Sequence, residues 1–186
     1  SAFLAFLVPS QADKTEDIDM LTLIKQYLIE KYHKPGDAYV GLVHRLDRPV
    51  GGVMVFAKTS KAASRLSEQV RNKTFQKQYL AIVNGKMEEN QGMLVDYLWK
   101  NEKKNMSQVV KEGTKNAKKA ELVYEVIKYD AKLNLSVLKI DLHTGRHHQI
   151  RVQLSSRNHS IYGDQKYGGR GHGGLFLKQI NLILHH

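Results

Sequence analysis

Ala38-Tyr39-Val40-Gly41-Leu42-Val43-His44-Arg45-Leu46-Asp47-Arg48-Pro49-Val50-Gly51-Gly52-Val53-Met54-Val55-Phe56-Ala57 is the stretch on which the fold turns. Its two arms, residues 38–43 and 52–57, are short, apolar and rich in valine, and each reads as a strand. Between them Pro49 and the Gly51-Gly52 pair bend the backbone. Asp47 stands near the end of the first arm, where a rigid element holds a functional group in place. Taken alone, an aspartate there is a turn residue making its own local hydrogen bonds. Later segments give it a second meaning.

Upstream, residues 19–32 set Leu21, Ile24 and Leu28 along one helical face and end before Pro35-Gly36. Downstream, Thr59 or Ser60 is suited to cap a helix with Ala63, Leu66 and Val70 as its apolar stripe. Residues 75–83 alternate as a strand and stop at Asn84-Gly85. Residues 119–129 and 132–142 read as a hairpin around Asp130-Ala131, residues 146–157 as a third helix, and residues 175–184 as a last strand. Strands outnumber helices and most connections are short. This predicts an α+β fold: a single domain with a mixed, largely antiparallel sheet flanked by helices. At 186 residues the chain suits one filled core better than two independent domains.

The chain has 29 Lys and Arg against 18 Asp and Glu, a net charge of +11, which favours a polyanionic partner and above all nucleic acid. No apolar run approaches the ~20 residues of a spanning helix, so acidic lipid is the weaker candidate. The absence of cysteine excludes disulfides, thiolate nucleophiles and cysteine-ligated metal, and fits a cytoplasmic location. The start, Ser1-Ala2-Phe3-Leu4-Ala5-Phe6-Leu7-Val8-Pro9, lacks the basic region of a signal peptide and reads as an artificial start or a truncated first strand. His185-His186 reads equally as native or as the stub of a purification tag. Residues 100–119 carry seven lysines against two glutamates, the composition of a loop, either simply solvated or in contact with RNA.

Three places carry candidate chemistry. On the expected third helix His147, Ile150, Arg151 and Leu154 share one face. Ile150 and Leu154 point inward and take Arg151 partly with them. A guanidinium keeps its charge, so burial needs a carboxylate, and Asp47 is a natural candidate; the competing reading is an arginine snorkelling to the surface. On the strand over residues 75–83, Lys77 and Tyr79 lie on one side, a cation and a phenol suited to gripping a phosphate and stacking a base. The ordinary reading of Tyr79 is core packing with a bonded hydroxyl. Two other patterns fail. Gly169-Arg170-Gly171-His172-Gly173-Gly174 fits G-x-G-x-x-G literally, but too little chain follows for a dinucleotide-binding unit, so it reads as a flexible loop. His143, His147 and His148 lack a completing carboxylate, so no metal site is expected.

In order and spacing, His44-Arg45-Leu46-Asp47, Lys77-Gln78-Tyr79-Leu80-Ala81-Ile82-Val83-Asn84-Gly85 and Thr144-Gly145-Arg146-His147-His148-Gln149-Ile150-Arg151-Val152 resemble three blocks of the RluA-type pseudouridine synthases. Gly163-Asp164-Gln165-Lys166-Tyr167-Gly168 is similar to the block that follows them. The resemblance covers about residues 41–168. The chain departs from the family in carrying Val50-Gly51-Gly52 where Thr-Ser-Gly is typical, and the expectation is a catalytic domain without the small N-terminal RNA-binding domain of many members.

The resemblance implies isomerisation of uridine to pseudouridine in structured ribosomal or transfer RNA, with no cofactor and no metal, by a monomer needing no protein partner. It implies Asp47, Tyr79 and Arg151 as catalytic residues. Asp47 is the essential carboxylate, as nucleophile or as eliminating base; Arg151 keeps it ionised and oriented; Tyr79 stacks on the base and helps remove the carbon 5 proton. His44, Arg45, Lys77, Arg146, His148 and Ile150 would bind substrate, Ile150 packing on the uracil and Arg45 filling the gap left by a flipped nucleotide. Two alternatives remain: a non-catalytic basic RNA-binding or ribosome-assembly module, which leaves the coincidence of Asp47, Tyr79 and Arg151 unexplained, and a metal-dependent nuclease, for which no further carboxylates form a ligand pattern.

Overall fold

The computed structural model describes residues 3–8, 16–33, 35–46, 50–72, 74–172 and 174–183. The chain divides into two compact units, residues 1–75 with 183–186, and residues 76–182.

The first unit contains β1 (Phe3–Val8), α1 (Glu16–Tyr32), β2 (Gly41–Leu42), β3 (Gly51–Ala57) and α2 (Ser60–Arg71). Both β1 and β2 pair antiparallel with β3, Phe3 opposite Ala57 and Leu42 opposite Phe56. The β1 pairing shows that the apolar start is a strand. Ile24 and Leu28 of α1 form a core with Ala38, Met54 and Phe56, and Leu21, Ile29, Val40 and Leu46 pack against it. Those helical positions are the ones their spacing predicts. Only Gly41 and Leu42 of the expected first arm make ladder contacts; Ala38 and Val40 go to the α1 core instead. Thr59 caps α2 with φ −143° and ψ 155°, its hydroxyl accepting the Ala62 N–H at 3.1 Å.

The second unit contains β4 (Gln76–Asn84), β5 (Gln91–Asn101), β6 (Met106–Val110), β7 (Lys118–Asp130), β8 (Leu135–Leu142), α3 (Gln149–Ser155), a single 3₁₀ turn (Gln165–Tyr167) and most of β9 (Leu177–Ile183). Its strands lie in the order β9-β4-β8-β7-β5-β6. The ladders β4–β8, β8–β7, β7–β5 and β5–β6 are all antiparallel. The expected hairpin is β7–β8, its turn held by Asp130 accepting the Leu133 N–H at 3.0 Å. The class is the expected one, α+β with a largely antiparallel sheet.

Two expectations are corrected. Residues 100–119 are not one continuous loop: β5 runs to Asn101, β6 occupies Met106–Val110, and β7 begins at Lys118, with residues 102–105 and 111–117 connecting them. Lys100, Lys103 and Lys104 belong to the β5–β6 hairpin, which ladder hydrogen bonds hold despite a composition poor in apolar residues. The third helix is shorter than residues 146–157. His148 sits at its start in the left-handed region, with φ 52° and ψ 26°, so Arg146 and His147 precede the helix. His147 therefore shares no helical face with Ile150 and Arg151. All six residues from Gln149 to Leu154 are buried, so α3 has no solvent side.

Candidate active site

Asp47 lies outside the described residues. The chain leading to it is held from inside the first unit. Leu46 packs on the α1 core. His44 is buried; its Nε2 accepts the Val55 N–H at 3.0 Å, and its ring tilts against Phe75 at 5.2 Å between centroids. Arg45, between these two inward residues, is exposed. Alternation along an extended segment accounts for the pattern and turns Arg45 to solvent.

In the second unit Tyr79 and Lys77 share one side of β4 with Ala81 and Val83. Tyr79 is 8% exposed, and its hydroxyl donates to Oε1 of Gln179 on β9 at 3.0 Å; Gln179 is itself buried. Lys77 is half-buried opposite Leu142, at the end of β8 from which the chain turns into α3.

That turn is built from polar groups. Gln149 accepts from the Thr144 hydroxyl at 2.7 Å and from the Arg146 N–H at 3.0 Å, and donates to the Glu121 carbonyl at 3.0 Å. Arg146 also donates its Nε to the Lys119 carbonyl at 2.8 Å. Two residues beyond Gln149, Arg151 is 5% exposed, so it does not snorkel. The carboxylate that receives it is Asp164, 2% exposed: Nε donates to Oδ2 at 2.8 Å and Nη2 to Oδ1 at 2.7 Å. Such a two-pronged ion pair is the geometry in which a buried guanidinium is tolerated. The expected partner, Asp47, falls outside the described residues, whereas Asp164 engages both prongs of the guanidinium.

Asp164 is held by a glycine-rich loop. Its carbonyl accepts from Tyr167 N–H at 3.2 Å and Gly169 N–H at 2.7 Å. A Cβ on Gly163, whose φ is +79°, would lie 1.8 Å from the Gly174 carbonyl oxygen, and one on Gly169 would lie 2.0 Å from that of Ile161. Arg170 returns its carbonyl to the Gly163 N–H at 3.0 Å. The segment expected as a flexible loop is thus tied back onto Gly163-Asp164.

Tyr167 is the hub. Its ring lies under the Arg151 guanidinium at 4.9 Å, its oxygen accepts the Ser107 N–H at 2.9 Å, and it contacts His148 Nδ1 at 2.7 Å. The Tyr167 hydroxyl and His148 Nδ1 share one hydrogen bond, which fixes the plane of the imidazole beside the Arg151 guanidinium. Burial, then the charges of Arg151 and His147, lower the His148 pKa from 6.5 to about 3. The ring is therefore neutral at physiological pH. His147 stacks on it at 3.7 Å and is held by Ser107 Oγ at 2.8 Å from its Nδ1. Among the described residues no group of three or more His, Asp or Glu is placed to hold a metal ion.

The structure therefore brings Arg151 and His148 together with Asp164, Tyr167 and Ser107, and buries Ile150 on α3 beside Arg151 in the chain. It places Lys77 and Tyr79 on β4 with Gln179, and His44 and Arg45 in the first unit. Asp164, Tyr167, Ser107 and Gln179 were given no role by sequence reasoning. Asp164 had a signal: an inward arginine demands a carboxylate, and one lies in the Gly163–Gly168 block. Ser107 and Gln179 had none, because their contacts join strands far apart in the chain.

The architecture is that of RNA-modifying pseudouridylate synthase domains. The human RNA pseudouridylate synthase domain containing 4 superposes with a TM-score of 0.80 at 22% identity, covering 98% of this chain and 80% of that one. At such identity the likeness is one of fold. The family model for RNA pseudouridylate synthase matches residues 10–156, and the chain belongs to that family. It is 35% identical over 150 residues to the ribosomal large subunit pseudouridine synthase C of Haemophilus influenzae, covering 81% of this chain and 44% of that protein. It is 32% identical over 152 residues to the tRNA pseudouridine synthase C of the same organism, covering 77% and 63%. An uncharacterised RNA pseudouridine synthase of Bacillus subtilis is 36% identical over 127 residues, covering 68% and 41%. The chain thus spans about two-fifths to two-thirds of the length of these relatives.

Proposed function

We propose that this chain carries the catalytic activity of an RNA pseudouridine synthase, converting specific uridines of ribosomal or transfer RNA in the cytoplasm. Family membership supports the reaction, and the names of the relatives support both classes of RNA. The net charge of +11 supports a polyanionic substrate. Among the described residues no helix is long and apolar enough to cross a membrane.

In this reading Asp47 is the essential carboxylate, acting as nucleophile or as eliminating base. The bond between ribose carbon 1′ and uracil nitrogen 1 breaks, the uracil reorients, and carbon 5 bonds to carbon 1′. Carbon 5 then loses its proton and nitrogen 1 gains one, so the product is an isomer and no cofactor is consumed. Tyr79 stacks on the base and helps take the carbon 5 proton. Ile150 packs on the uracil. Lys77, Arg146 and His148 hold the RNA, and Arg45 fills the space of the flipped nucleotide. His44 anchors the Asp47 segment through Val55. Arg151 is catalytic in this scheme, and its clamp on Asp164 sets where its charge stands.

The observation carrying the proposal is that the family blocks recur in order, on the segment before Asp47, on β4 and at α3. Asp47→Asn tests it: an amide of the same shape keeps hydrogen bonding and loses nucleophilic and basic power. Pseudouridine formation should fall by about 10³-fold or more, with RNA affinity and thermal stability near wild type. Activity within a few-fold of wild type would favour the non-catalytic RNA-binding reading.

A further inference from the structure

We propose that the concave surface between the β5–β6 hairpin and the turn at residues 145–147 is a docking groove for a phosphodiester strand of RNA, gripping the substrate outside the reacting nucleotide. This rests on the reading of the chain as an RNA-modifying enzyme.

The lysines of residues 100–119 are not equivalent in space. Lys100 is paired with Glu102 at 2.6 Å and Lys119 with Glu121 at 2.7 Å, so these charges are largely neutralised locally. Lys111 and Lys115 are exposed on the connection from β6 to β7 and are not among the residues that line the groove. Lys103 and Lys118 line the groove, are exposed, and make no ion pair among the described residues. Arg146 reaches the same surface already oriented, its Nε spent on the Lys119 carbonyl and its backbone N–H on Gln149. His147, fixed by Ser107, forms part of the same wall.

Three cations from three separate chain segments therefore converge on one hollow, without carboxylates enough to neutralise them; Glu102, already bound to Lys100, is the acidic residue in the lining. A concave surface of one sign focuses the field of its charges. A single phosphate ion satisfies one or two such groups, whereas a strand offers a phosphate to each. Asn101 and Asn116, in the same lining, add neutral donors and acceptors suited to ribose hydroxyls and phosphate oxygens. Such interactions carry no base information. They fix register and orientation, so the groove would position the RNA and leave the choice of uridine to other residues.

The test compares two double variants that remove the same charge: Lys103→Ala with Lys118→Ala in the groove, and Lys111→Ala with Lys115→Ala outside it. Binding of a labelled RNA stem-loop and of a poly(U) strand is measured by fluorescence anisotropy across a salt series. All four side chains are exposed, so both variants should fold. Every phosphate that the protein no longer neutralises should lower the slope of log affinity against log salt by about 0.7–0.9. The groove variant should therefore show a slope shallower by about 1.5, and the outer variant one changed much less. Equal changes in both would show that net charge alone acts, and no change in the groove variant, or no RNA binding by the wild type, would equally overturn the groove. Pseudouridine formation by the wild type is assayed separately on ribosomal and transfer RNA. Its absence alongside a groove-specific slope change would sink the enzymatic reading and leave the groove standing.

Discussion

Leu46, beside Asp47, rests on apolar side chains, whereas Arg151 rests on a carboxylate. The first unit holds its expected functional segment with Ile24, Leu28, Met54 and Phe56 beneath it. The second holds α3 with Asp164, Tyr167, Ser107, Gln149 and Gln153, each committed to hydrogen bonds. Apolar packing is non-directional and the cost of disrupting it is graded with the volume removed. A buried polar network is directional, and removing one member strands the others in a low-dielectric interior. The two supports should therefore fail differently.

The largest difference is expected at the ion pair. Asp164→Asn leaves Arg151 charged, buried and unpaired, and should cost about 3–5 kcal/mol in urea unfolding. Replacing both partners, Arg151→Met with Asp164→Leu, should restore most of that stability, while pseudouridine formation is lost with the Arg151 guanidinium. If the double variant is no more stable than Asp164→Asn, the network is not what holds α3. In the first unit Leu28→Ala should cost about 2–4 kcal/mol by leaving a cavity, with no comparable rescue by removal of a neighbour. A further drop in stability on combining it with Phe56→Ala is the pattern expected of packing.

His148 sharpens the contrast through pH. The unfolded chain binds a proton on this imidazole near pH 6.5 and the native chain only near pH 3, so between these values the unfolded state holds more protons. Stability from this group is intact above pH 6.5 and is lost as the pH falls towards 3, with a slope of at most about 1.4 kcal/mol per pH unit. Asparagine accepts the left-handed backbone at this position. His148→Asn should flatten that part of the pH–stability curve, and an unchanged slope would mean that other groups produce it. The smallest effect belongs to Gln179→Leu, which deprives the buried Tyr79 hydroxyl of an acceptor. It should cost about 1–2 kcal/mol and lower the single-turnover rate, whereas Tyr79→Phe combined with it should restore stability but not rate.

Much of this was legible in the chain. The α1 stripe of Ile24 and Leu28, the Thr59 cap and the β7–β8 hairpin follow from local spacing and turn chemistry, which act within a few residues. The lysine-rich hairpin was not legible, because what makes residues 106–110 a strand is their pairing with β5 rather than their own composition. The helical face drawn through His147 failed for a related reason: a left-handed residue at position 148 starts the helix later than its periodicity suggests.

By itself the sequence determined the class of fold, the basic character and the candidates Asp47, Tyr79 and Arg151, through periodicity and ordered motifs that need no partner to be read. It also determined that an inward Arg151 must find a carboxylate, because a guanidinium cannot shed its charge. Only the tertiary structure decided that Asp164 receives it, that Gln179 takes the Tyr79 hydroxyl, and that Lys103, Lys118 and Arg146 share one hollow. Those choices join residues brought together by sheet order and loop closure, and an ion pair or hydrogen bond depends on distances of a few ångströms that sequence separation does not encode.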